Sequence, residues 1–233
     1  MLLLISSLLL MSCGADKYMK KGEKFLALGE YYDAADQFKQ AYTRTPAKER
    51  DTRGKRALKM AQCYQRINAT PKAIAAYRNA IRYNQASKED QLAYARQLLK
   101  NGDYRQAEKV FLMLKDSMPG NQLVANGLKS AQMAPEWKKQ GSRYIVKRMD
   151  VFNSRRHDYS PVLFGDDYDQ LYFTSTRNEA LGDELSGITG TKAGDIFLSE
   201  KDDRGKWSKP EAIGTGLNTD YDEGACCFTP DGR

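Results

Sequence analysis

Apolar and small residues recur every three or four positions from residue 15 to about 133, and they alternate with polar residues after residue 142. The first spacing predicts amphipathic helices, because residues three and four apart share one helix face. The second predicts short strands, since Gly, Asp and Asn turns separate the alternating runs. The change falls after Pro135-Glu136-Trp137. The sequence therefore predicts a multidomain chain whose first part is all-α and whose second part is all-β.

The helical stretch contains three copies of one pattern. The first copy places small and aromatic residues at Gly22, Phe25, Gly29, Tyr31, Ala34, Phe38 and Ala41. The pattern returns around Ala73, with Asn68 in the place of the turn glycine, and again around Ala107. These residues resemble the tetratricopeptide repeat, in which small residues let two helices cross closely. The resemblance implies a solenoid over residues 13–134, with repeats at about 15–48, 54–87 and 88–121 and a capping helix at 121–133.

The first two repeats are spaced differently from the last two. Ala34 and Ala73 are 39 residues apart, whereas Ala73 and Ala107 are 34 apart, which is the period of the family. Five extra residues therefore lie between the first two repeats. The charged segment 48–53 is the natural place for them, as an extended helix end or as a longer loop.

Solenoids of this family bind partners through a concave face formed by the first helix of each pair. The resemblance places five residues on that face: Lys55, Gln62, Arg66, Arg96 and Lys100. Because the set is mostly cationic, it implies an acidic peptide or glycan as partner. The alternative is that these residues are only the solvated faces of their helices.

The second part of the chain is predicted to contain strands at Tyr144–Val151, at 158–164, at 171–177 and at 194–198. This part contains, in order, Ser-Pro, Leu-Tyr-Phe-Thr-Ser, Gly-Asp-Ile-Phe and Trp-x-x-Pro. The order resembles the repeat of TolB-like, WD-related β-propellers. A second copy begins at Asp222, 64 residues after Asp158. Since a propeller typically needs four to eight blades, residues 135–233 are expected to be a first blade and the start of a second in a longer protein.

The N-terminus predicts the location of the protein. Residues 1–12 form an apolar run too short to span a bilayer, and Leu10-Met11-Ser12-Cys13-Gly14 resembles a bacterial lipobox. The resemblance implies a signal peptide at 1–12, lipidation of Cys13, and sorting to the outer membrane. No Lys or Arg precedes Cys13, unlike in most signal peptides. The alternative is a buried helix with Cys13 as a core thiol. An exported lipoprotein excludes nucleic acid as a partner.

Charge and chemistry refine this picture. The net charge of +7 combines +15 over residues 1–148 with −8 over 149–233. The cysteines and the single histidine, His157, show no metal-ligand spacing. No catalytic motif accompanies them, so we expect no cofactor and no enzymatic activity.

Lipobox, tetratricopeptide repeats and TolB-like blades, in this order, are similar to a family of exported lipoproteins that includes type IX secretion components. Members continue into an OmpA-like domain that binds peptidoglycan, so peptidoglycan binding would belong to a domain outside these residues. The implied partners are proteins of a cell-envelope or secretion complex. The alternative is a hydrolase for glycans or peptides with its active site on the propeller.

Overall fold

The computed structural model describes residues 2–229, and it describes side chains from Gly14 to Thr229. It divides into two compact units, Met1–Arg143 with Gly187–Thr189, and Tyr144–Ser186 with Gly190–Arg233. The described helices are α1 Leu2–Leu28, α2 Tyr31–Arg44, α3 Arg50–Arg66, α4 Thr70–Arg82, α5 Lys88–Lys100, α6 Tyr104–Ser117 and α7 Gln122–Gln140. The described strands are β1 Asp158–Phe164, β2 Gln170–Ser175, β3 Asp195–Glu200 and β4 Glu211–Ala212. An all-α part therefore precedes an antiparallel β part, as the sequence predicts.

The turns inside the helix pairs share one geometry. Gly29, Asn68 and Gly102 all have positive φ, at 80°, 56° and 82°. In each turn the next residue donates its N–H to the carbonyl five positions back, as Glu30 does to Phe25 O at 2.9 Å. This bond closes a Schellman motif, which needs a residue that tolerates the left-handed region. Asn68 therefore fills the place of the glycine, because asparagine adopts that region more readily than most residues.

The helical core repeats with the same register. Equivalent alanines at 34, 73 and 107 are 0% exposed, and the aromatic residues four positions later are at most 1% exposed. A side chain added to Gly127 would lie 2.3 Å from the Phe111 ring, and one added to Gly22 would lie 2.6 Å from the Phe38 ring. The rings thus occupy the space that a missing side chain leaves free. Phe38 and Phe111 therefore pack where the neighbouring helix carries a glycine.

The extra residues between the first two repeats lengthen α3. This helix has 17 residues, whereas α5 has 13. The added turn is residues 50–53, and it precedes Arg56, which is only 6% exposed and donates to Asp16 of α1, to Thr45 Oγ1 and to Ala41 O. The buried guanidinium of Arg56 therefore connects α3 to α1 and to the end of α2 through its hydrogen bonds.

The capping helix extends beyond the predicted end at residue 133. α7 continues through Pro135 to Gln140 and ends at Gly141, which has φ 69°. A proline removes one helical hydrogen bond, but the helix resumes after it because the following residues have no competing stop. The boundary between the units therefore falls at residues 143 and 144, rather than at 134 and 135.

The β unit contains one antiparallel sheet with the strand order β1-β2-β3-β4. The strands predicted at 158–164 and 171–177 are present and pair as a hairpin, in which Val162 lies opposite Tyr172 and Phe164 opposite Gln170. A bulge in β1 lies at Ser160 and Pro161, where Ser160 has φ 52°. Phe173, Phe197 and Ala180 form the apolar centre of the unit. Trp207 packs edge-on against Phe152, with ring centroids 5.2 Å apart.

One strand prediction was wrong. Residues 144–151 form no strand, and Ile145 and Val146 are 86% and 90% exposed. Their alternation predicts a strand, but a strand also needs a neighbouring edge, and no described strand pairs with them. The segment after Pro210 pairs with β3 as β4. Within the described residues 222–229 there is no strand.

A buried ion pair fixes one end of the sheet. The side chains of Asp158 and Arg177 are 9% and 7% exposed, and Arg177 Nη2 donates to Asp158 Oδ1 at 2.8 Å. Ser175 Oγ donates to the same carboxylate at 2.6 Å, and the Ser154 N–H donates to Oδ2 at 2.6 Å. Burial alone raises the pKa of Asp158, but these hydrogen bonds outweigh it, and the net pKa lies below its ordinary value.

A second buried carboxyl group, Asp195, has a pKa that is raised instead of lowered. It is 0% exposed, and its Oδ2 accepts from Leu181 N–H at 2.7 Å. Burial raises its pKa, and the nearby carboxyl of Glu223 raises it further. Asp195 Oδ1 accepts no hydrogen bond from the described residues. Burial and the nearby Glu223 carboxyl therefore favour the protonated form of Asp195.

The close helix crossing generates the first prediction. Gly127→Ala should destabilise the protein by about 1–3 kcal/mol, because the added methyl overlaps the Phe111 ring. The control is Gly14→Ala, where nothing lies within 4 Å of the added carbon and alanine favours the helix. Urea unfolding followed by helical circular dichroism measures both variants. Equal stability of Gly127→Ala and the wild type would show that the crossing is not tight.

The raised pKa of Asp195 generates the second prediction. Asp195→Asn should raise the melting temperature of the β unit, since asparagine accepts from the Leu181 N–H and carries no charge that burial and Glu223 would penalise. A raised pKa in the folded state means that stability falls as pH rises from about 4 through that pKa. The gain should therefore be larger at about pH 8 than at about pH 4.

Scanning calorimetry at both pH values measures this difference. Asp167→Asn is the control, because Asp167 is an exposed turn residue. A change of stability in Asp195→Asn that is equal at both pH values would contradict the raised pKa of Asp195.

Candidate functional site

A groove of ≈ 420 Å³ in the helical unit is the strongest candidate site. The first helices of the three pairs, α1, α3 and α5, contribute most of its lining, and α2 and α4 add one tyrosine each. The lining combines apolar, aromatic, amide and charged side chains: Leu26, Tyr31, Gln62, Gln65, Arg66, Tyr77, Glu89, Asp90 and Ala93. The groove therefore offers contacts to several kinds of group and is not dominated by one charge.

The α3–α5 wall of the groove is held by one side-chain bridge. Gln62 Nε2 donates to Asp90 Oδ1 at 3.1 Å. Asp90 also belongs to the capping box of α5, in which its Oδ2 accepts from the Ser87 N–H at 3.0 Å. The cap fixes the carboxylate at the helix start, where the helix dipole favours negative charge. Asp90 thereby positions Gln62, and Asp90 is itself held by a hydrogen bond from the backbone N–H of Ser87.

The aromatic residues of the groove have polar partners. Tyr77 is 1% exposed, and its hydroxyl donates to Gln65 Oε1 at 2.6 Å. Burial, and then the charge of Asp90, raises the pKa of Tyr77 far above its ordinary value, so the hydroxyl stays a neutral donor. The Arg66 guanidinium lies 5.8 Å from the centroid of the Tyr31 ring. This cation–π contact orients an exposed charge along the groove.

The structure brings together part of the predicted groove set. Gln62 and Arg66 line the groove. Lys55 lies on the same face of α3, seven residues before Gln62, and is exposed. Arg96 and Lys100 are exposed on α5 without lining the cavity, and Lys100 Nζ donates to Asn68 Oδ1 at 2.7 Å.

Two acidic residues of the groove were missed by the sequence interpretation. Glu89 and Asp90 line it beside Arg66, so its charge is mixed instead of mostly cationic. The pattern Ser87-Lys88-Glu89-Asp90 indicates where α5 begins, because a serine followed three residues later by an acidic side chain is typical of a helix start. The first turn of α5 faces the groove, and its acidic residues therefore enter it.

The other residues considered for chemistry are Cys63, which is buried, and His157, which is exposed. Cys63 is buried, and burial raises the pKa of its thiol to about 11, so it stays protonated at neutral pH. The His157 side chain is exposed beside β1, and the backbone N–H of His157 donates to Thr176 Oγ1 at 3.2 Å. In the described part of the chain no group of three or more His, Cys, Asp or Glu side chains could hold a metal ion.

The predicted lipidation site, Cys13, lies outside the residues whose side chains are described, as do residues 1–12. Among the helices that are described, none has the length and apolar character needed to cross a bilayer.

Comparison with known proteins gives similarity of fold alone. No protein-family model matches the chain. No curated protein matches it. The first tetratricopeptide domain of Spaghetti, solved with an HSP90 peptide, is 18% identical and covers 54% of this chain and 96% of its own, with a TM-score of 0.44.

Two further solved structures are similar to a comparable degree. The tetratricopeptide domain of Sgt2 from Aspergillus fumigatus is 19% identical over 58% of this chain and 88% of its own, with a TM-score of 0.42. The C-terminal tetratricopeptide domain of an FK506-binding protein from Plasmodium falciparum is 14% identical over 56% and 94%, with a TM-score of 0.46. Likenesses of this degree transfer no ligand or partner to this chain. The repeats rest on the turns and the core register described above.

Proposed function

We propose that this chain is a non-catalytic scaffold that binds an extended segment of a partner protein in the groove between α1, α3 and α5. The single observation that carries the proposal is the lining of that groove. Amide side chains at Gln62 and Gln65 match the donors and acceptors of a peptide backbone, and Leu26 and Ala93 offer apolar contact. Arg66 can pair with acidic side chains of the partner, and Glu89 can pair with basic ones.

We place this scaffold at the bacterial outer membrane, anchored through a lipid on Cys13, within a cell-envelope or type IX secretion complex. The lipobox-like Leu10–Gly14 supports the anchor. The order of lipobox, helical repeats and β unit supports the complex. A partner in this setting is a protein, and peptidoglycan would be bound by a further domain.

We propose that the β unit is one blade of a propeller. A four-stranded antiparallel sheet with the order β1-β2-β3-β4 is the form of such a blade. The second copy of the sequence motif supports this, since Phe228 stands 64 residues after Phe164 and stacks on it with ring centroids 4.3 Å apart.

The groove generates the third prediction. Arg66→Glu should lower the affinity for the partner by about fivefold or more, because it removes the cation and places a third acid beside Glu89 and Asp90. Adding Arg96→Glu and Lys100→Glu tests the wider cationic face predicted from the sequence. Affinity purification from envelope fractions, with quantitative mass spectrometry, measures the recovered proteins.

Arg78→Glu is the matched control, because Arg78 is an exposed α4 residue that does not line the groove. The proposal expects the same proteins to be lost with Arg66→Glu and kept with Arg78→Glu. Identical recovery with both variants would contradict binding in the groove.

The anchor generates the fourth prediction. Cys13→Ser should move the protein from the membrane fraction to the soluble fraction, because the thioether that carries the lipid cannot form. Metabolic labelling with a fatty acid should mark the wild type alone. A wild-type protein that stays unlabelled, with the variant still in the membrane, would contradict the anchor.

A further inference from the structure

Four exposed lysines form a charged strip on α1, away from the groove. Lys17, Lys20, Lys21 and Lys24 line one open surface depression together with Asp16. At about 100° per residue they fall within roughly 100° of the helix circumference and span about 10 Å of its axis. We name these four residues the α1 lysine arc.

The buried side of α1 faces the other way. Ala15 is 0% exposed, Gly22 meets the Phe38 ring, and Met19 and Leu26 pack against the core. On a helical wheel this side is centred about 180° from the centre of the lysine arc. The arc is therefore a solvent-facing surface that the fold does not need for packing.

The charges of the arc are not neutralised by the described residues. The Asp16 carboxylate pairs with Arg56, which leaves it directed toward α3. None of the four lysines forms an ion pair with any carboxylate of the described chain, and Lys21 Nζ lies over the Phe25 ring, 5.4 Å from its centroid. Four like charges on two helix turns repel one another. Such a surface is stabilised by an anionic ligand.

We propose that the α1 lysine arc binds the phosphate-bearing headgroups of an anionic lipid bilayer. Lysine ammonium groups are point charges on flexible stems, which suits laterally mobile phosphates better than one fixed ligand geometry. Among the described residues, the lining of the depression consists of one aspartate and four lysines, whose stems supply its apolar area, and it includes no aromatic side chain of the kind that anchors a peptide. Anionic headgroups offer the matching charge without such anchors.

The position in the sequence agrees with this assignment. Lys17 follows Cys13 by four residues, about 6 Å along a helix. Basic residues beside a lipid anchor add electrostatic attraction to anionic headgroups. The proposal rests on the membrane location of the proposed function, and its test is independent of the lipid anchor.

Vesicle binding by the full chain with Cys13→Ser tests the proposal without any attached lipid. Sedimentation with phosphatidylcholine vesicles is compared with sedimentation when about a third of the lipid is phosphatidylglycerol. Binding should require the anionic lipid and weaken as salt increases. Changing all four arc lysines to Gln should weaken it at least about tenfold, and changing them to Arg should preserve it.

The matched control changes Lys109, Lys115, Lys129 and Lys138 to Gln, which removes the same charge from exposed positions of α6 and α7. Its binding should stay close to that of the parent. Equal weakening by both sets of changes, or equal binding of the parent to both kinds of vesicle, overturns the proposal. Binding to polyglutamate without binding to anionic vesicles also overturns it and assigns the arc to an acidic protein. Failure of Cys13 lipidation in cells leaves the vesicle result unaffected.

Discussion

The helical unit depends on the close approach of its helices at positions that carry almost no side chain. Phe38 fills the space beside Gly22, and Phe111 fills the space beside Gly127. Protein interiors are close-packed, so a methyl group at such a crossing forces the helices apart. This constraint fixes the spacing of the helix pairs. The groove between α1, α3 and α5 follows from it, because that spacing sets how far apart its walls lie.

The groove and the lysine arc use residues that packing leaves free. Gln62, Arg66 and Glu89 are exposed on the first helices of their pairs, while the opposite faces of those helices are buried. The β unit is stabilised differently, since its small apolar centre is accompanied by the buried carboxyl groups of Asp158 and Asp195. Buried charges need defined partners, and they fix the ends of β1 and β3 in one arrangement.

The repeats could be predicted because each signature residue reports a local requirement. Gly29, Asn68 and Gly102 mark left-handed turns, and the alanines at 34, 73 and 107 mark the crossings. Non-local properties escaped prediction. Residues 144–151 alternate like a strand but have no described partner strand. The acidic side of the groove depends on where the first turn of α5 points, and the pairing of Asp195 with Glu223 joins residues far apart in sequence.

The most direct test of the account is photo-crosslinking from the groove in living cells. A photoreactive amino acid at Gln62, which lines the groove, is compared with the same amino acid at Arg78, an exposed α4 position outside it. The account predicts a discrete crosslinked protein from position 62 and none from position 78. Crosslinks from position 78 with none from position 62 would contradict the central claim that the groove binds the partner.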